Sequence, residues 1–83
     1  RRATRRPVAV NSAEHLTRRE LEVLKLAAKG MSNRDIAQEL GVGLRTVKGH
    51  FEVIFSKMGV SSRTEAVLEA LKHGWVSLLD EES

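Results

Sequence analysis

The chain has 83 residues, no cysteine, 30% charged residues and a formal charge of +3. That length makes one small domain, and the lack of cysteine excludes disulfides and thiolate metal sites and fits a reducing cytoplasm. No apolar run reaches the roughly 20 residues of a membrane span, and the apolar part of the opening RRATRRPVAV is too short for a secretory signal.

The charge is unevenly spread. Residues 1–15 carry +3, residues 16–75 another +3, and residues 76–83 carry −3 through Asp80, Glu81 and Glu82. A basic folded part and a basic arm are therefore masked by an acidic end, and basic domains concentrate on polyanions, nucleic acid above all. The chain begins without Met and reads as a piece of a longer protein.

Residues 1–15 have no sustained apolar period and read as a flexible linker or arm. Arg1, Arg2, Arg5 and Arg6 fit a solubilising interdomain linker better than an arm that tracks phosphates or enters a minor groove. The folded domain is expected over residues 16–76, with an acidic tail at 77–83. Thr17 and Glu20 form a capping box with Leu16 as the staple residue, and open a helix through LEVLKLAAK that ends at Gly30. Leu21, Leu24 and Ala28 share its apolar face, widened by Val23 and Ala27.

Ser32 and Asp35 open a second helix with Ile36, Ala37 and Leu40 as a narrow apolar stripe. Gly41 ends it by taking positive φ without strain, and Val42 plugs the corner to the next helix. A third helix runs from about Leu44 to Met58, where Val47, Phe51, Ile54, Phe55 and Met58 mark one face. After Gly59, Ser62 and Glu65 cap a fourth helix through AVLEALKH, which ends at Gly74 beside Trp75. Three of the four helices thus carry capping-box spacings, and no segment reads as a strand.

Two helices joined by a tight turn over residues 32–51 have the helix-turn-helix layout, which places its second helix in the major groove of DNA. The third helix turns its apolar stripe inward, so Arg45, Gly49, Glu52 and Ser56 face out, with Lys48 on their flank. Arg45 can grip guanine, Lys48 a guanine edge or a phosphate, and Thr46 a phosphate or a thymine methyl. Gly49 either lets the helix sink close to the bases or drifts neutrally on an exposed face. Glu52 accepts from a cytosine amino group, sits beyond the DNA, or pairs with Lys48 at i,i+4; the ion pair is the favoured reading. Lys57 suits the helix C-terminus and can also reach a phosphate.

Thr17-Arg18-Arg19-Glu20, Val23-Leu24, Asn33, Ile36-Ala37, Thr46-Val47-Lys48, His50, Ile54, Lys57, Arg63 and Ala66 together resemble the LuxR-type (NarL/FixJ) DNA-binding domain over about residues 16–75. The resemblance implies an all-α, four-helix domain without the wing of winged-helix folds. It implies the C-terminal part of a bacterial transcription regulator, a response regulator of a two-component system among them. It also implies base contacts from Lys48 and position 49, phosphate contacts near Thr46 and Lys57, and a homodimer through Val67, Leu68 and Leu71 of the last helix. Val67, Ala70 and Leu71, however, share a stripe that most simply faces the core, and Leu68 is the better interface candidate. Position 43, usually a polar cap, is here Gly43. Gly49 replaces a side chain that often touches bases, and Glu52 a residue that is sometimes basic, so the base-reading code does not carry over.

The expected partners are double-stranded DNA and a second copy, with RNA polymerase a further candidate; no membrane, cofactor or small-molecule ligand is expected. His15, His50 and His73 lack metal-site spacing, and there is no glycine-rich phosphate loop or nucleophile–base pair to suggest an enzyme. Trp75 reads as a lid on the core. Two rivals remain: the promoter-reading region of a sigma factor, which also carries a Thr-Val-Lys run, and a helical adaptor that binds protein.

Overall fold

The computed structural model describes residues 16–77. The basic arm and nearly all of the acidic tail therefore lie outside the described residues. Four helices follow one another: α1 (Arg18–Ala28), α2 (Asn33–Leu40), α3 (Leu44–Met58) and α4 (Arg63–Lys72), with no strand among the described residues. This agrees with the all-α expectation.

The core forms around α3, which packs on each of the other three helices. Val47, Phe51, Ile54 and Met58 of α3 meet Val23, Leu24 and Ala27 of α1, Ile36 and Ala37 of α2, and Ala66 and Ala70 of α4. Val47 and Ile54 are wholly removed from water, and each such burial contributes about 1.5–3 kcal/mol. Leu16 and Val76 are also buried in the core, and the half-buried Trp75 packs against it with the His73 ring stacked on its own at 5.4 Å. Leu21 and Phe55, expected inside, are only half-buried and pack at the rim.

The caps correct one expectation. Only α1 closes a complete capping box: Glu20 N–H donates to Thr17 Oγ1 at 3.0 Å and Thr17 N–H to Glu20 Oε1 at 2.9 Å. At α2, Ser32 accepts from the Asp35 N–H at 3.1 Å, but Asp is one methylene too short for the return bond that Glu or Gln makes. At α4, Ser62 accepts from the Glu65 N–H, while the Glu65 carboxylate turns to Ser61 and takes its N–H at 2.7 Å and its hydroxyl at 3.0 Å. Those bonds, the Ser61 N–H first, hold the Glu65 carboxyl below its ordinary pKa. Gly43 caps α3 with no side-chain bond, as its lack of a side chain demands.

Between α2 and α3 lie only Gly41, Val42 and Gly43. Gly41 sits at φ +70°, a left-handed conformation that a Cβ resists. This reversal brings the Val42 N–H onto the Ala37 carbonyl at 2.9 Å and tucks the Val42 side chain against the core. The crossing of α2 and α3 follows from that three-residue corner.

Candidate nucleic-acid interface

The inward stripe of α3 determines what points outward. Arg45, Thr46, Lys48, Glu52 and Ser56 are exposed, and Gly49 is half-covered. Arg45, Thr46 and Lys48 occupy the first turns of α3, where free N–H groups add a partial positive charge. Arg45, Gly49 and Glu52 share the side of α3 opposite its core stripe, with Lys48 on one flank and Thr46 and Lys57 on the other. Val67, Leu68 and Leu71 lie elsewhere, on α4.

The ion pair expected between Lys48 and Glu52 is absent among the described residues. Lys precedes Glu here, the weaker orientation of an i,i+4 pair, and both groups are well hydrated. They stand unpaired at an open cleft of about 270 Å³, whose other lining residues are Asn33, Phe51, Phe55 and Arg63.

Lys57 bridges to the first turn of α1. Its Nζ lies 2.8 Å from Glu20 Oε1, with 32% of the Lys57 and 8% of the Glu20 side chain exposed. Burial pushes the Glu20 carboxyl pKa up, but bonds from Lys57 and Thr17 outweigh it and the net shift is downward. A carboxyl lowered on folding stabilises the fold above its unfolded pKa, and that stability is lost as pH falls through the folded value. Lys57→Ala is expected to lower stability at neutral pH by about 1–2 kcal/mol, discounted because the ammonium is partly in water. The loss relative to the parent should shrink in acid; urea titrations at neutral and acidic pH check this.

Sequence reasoning missed a clasp at Arg63. Its guanidinium donates to Asn33 Oδ1 at 2.7 Å and to the Met31 carbonyl, and lies 5.0 Å from the Phe51 ring centroid. One side chain thus ties the start of α4 to the entry of α2 and to the middle of α3. No local pattern announces a contact that spans thirty residues. Also missed were Leu44 and Val53, 41% and 42% exposed on α3.

A three-residue corner, an anchored second helix and an outward face with exposed cations define a helix-turn-helix DNA-binding domain. Comparison with known proteins places it further. Residues 14–70 match the luxR family of bacterial regulatory proteins. Over 63 residues, 76% of this chain, it is 51% identical to the transcriptional regulatory protein DegU of Brevibacillus brevis, covering 27% of that protein. Over the same length it is 46% identical to the response regulator VraR of Staphylococcus aureus, covering 30% of it. The solved structure of the transcription factor GerE superposes with a TM-score of 0.74 at 38% identity, covering 78% of this chain and 97% of that one. The response regulator ChrA of a heme-sensing two-component system gives 0.70 at 40% identity, covering 72% and 30%. The chain belongs to the luxR family and has the fold of its DNA-binding helix-turn-helix domain. It spans less than a third of the length of DegU and VraR.

Proposed function

We propose that this domain binds double-stranded DNA sequence-specifically as the C-terminal effector of a bacterial response regulator. The observation that carries this is the solvent-facing placement of Arg45, Thr46 and Lys48 on a helix whose opposite side is locked in the core. In this reading Arg45 and Lys48 reach base edges or phosphates, Thr46 a phosphate, and Gly49 and Glu52 the groove floor. Lys57 offers a phosphate the ammonium protons that Glu20 does not take.

Two copies pair through α4. Leu68 is 59% exposed, and Val67 and Leu71 are half-buried beside it, so pairing would cover apolar surface that water now meets. Residues 1–15 would be the linker to a sensor or receiver domain, and residues 77–83 a solvated acidic tail. The length of DegU and VraR beyond the matched region supports such a further domain. A cytoplasmic location, a non-enzymatic role and a contact with RNA polymerase complete the proposal. No helix among the described residues is long and apolar enough to cross a membrane.

Selection of bound sequences from a random duplex pool at physiological salt tests the reading. A motif with one or two half-sites is expected; no enrichment over random competitor would sink it. On the selected site, Lys48→Ala should lose about 1–3 kcal/mol and relax preference at one base pair if Lys48 reads a base. A uniform loss across all sequences would assign Lys48 to phosphate instead.

A further inference from the structure

We propose that Glu52 determines specificity by selecting a C·G base pair through the cytosine amino group, with Gly49 giving it access. This rests on α3 being the groove-facing helix and names the base that its carboxylate takes. Glu20, Glu22, Glu65 and Glu69 each have a cationic or capping partner, whereas Glu39 on α2 and Glu52 on α3 have none among the described residues. Glu52 is exposed on the outward side of α3, and no hydrogen bond or ion pair engages it among the described residues, although Lys48 and Arg63 line the same cleft.

An ionised carboxylate only accepts hydrogen bonds. Against phosphates it weakens binding to every duplex alike. At the groove floor it meets donors, and the geometry of the cytosine amino group suits Glu. The carboxylate is therefore tolerable in a DNA interface where it reaches a base rather than the backbone.

Gly49 supplies the reach. It lies three residues before Glu52, on the neighbouring part of the helix surface. Its φ is not positive, and a Cβ built there would meet no atom within 4 Å beyond its chain neighbours and the backbone of its own helix, among the described residues. The fold does not require glycine at this position, and glycine weakens a helix interior. What it leaves is a bare notch in the reading face beside Glu52, which lets the helix axis sit closer to the bases.

The test uses the site obtained from the random pool, with all four base pairs placed in turn at each position. The parent domain should prefer C at one position by about 5- to 150-fold. Glu52→Gln should move that preference towards adenine, which Gln recognises with paired hydrogen bonds, and should raise affinity for random duplex. Gly49→Ala should raise the melting temperature while reducing discrimination at that same position. The proposal is overturned if Glu52→Gln raises affinity for all sequences by one factor, which is repulsion alone, or changes a position that is not C. It is also overturned if Gly49→Ala leaves discrimination intact. Enrichment of a site that Glu52→Gln reads unchanged defeats only this proposal; no enrichment defeats the groove reading as well.

Discussion

Affinity for the preferred duplex is expected to fall by about 10³-fold between about 50 and 200 mM salt when two domains are bound. If Arg45, Lys48 and Lys57 of each domain all reach phosphates, as the proposed function allows, two paired copies would bring six cations to them. Each neutralised phosphate releases condensed counterions, and the logarithm of affinity drops with the logarithm of salt in proportion to their number. A single copy with three cations should lose only about 40-fold over the same range. The slope therefore reports how many copies bind, and titrations at several salt concentrations against one-half-site and two-half-site duplexes measure it. No measurable affinity for either duplex would instead fit the adaptor reading.

Ile54→Ala is expected to cost about 2–5 kcal/mol of folding stability. Ile54 has no exposed surface and sits on α3 where that helix meets the core. A domain of this size has only about 4–12 kcal/mol in total, so the variant keeps little margin. The loss combines the missing transfer of three methyl or methylene groups with the void that neighbouring side chains fail to fill. Far-UV circular dichroism in urea reads the shift in midpoint. DNA affinity, corrected for the unfolded fraction, should stay within a few-fold of the parent, because the altered side chain points away from the reading face. A larger corrected loss would mean that α3 shifts as the core relaxes.

The helices were legible because their signals are local. Thr17 with Glu20, Ser32 before Asp35, Gly41 and Gly59 mark ends through bonds made within a few residues. The stripe Val47, Phe51, Ile54 and Met58 gave the inward side of α3 and, by subtraction, the outward one. Pairings between helices were not legible. Lys57 with Glu20 and Arg63 with Asn33 join residues 37 and 30 apart, and nothing in the spacing of charges predicts them. The same blindness favoured Lys48 with Glu52, where proximity in sequence stood in for a contact that hydrated side chains do not make. Val53 lies off the inward stripe and received no assignment from the sequence, so its exposure was not anticipated.

The Arg63 clasp bears on whether the reading unit can be grafted elsewhere. A peptide spanning Ser32–Phe51 would contain α2, only eight residues long, and about half of α3. Isolated helices shorter than about 12–15 residues are marginal in water. Such a fragment would also lack the guanidinium that holds Asn33, the Met31 carbonyl and Phe51 together. A transplant that preserves the angle between α2 and α3 must therefore carry α4 with it.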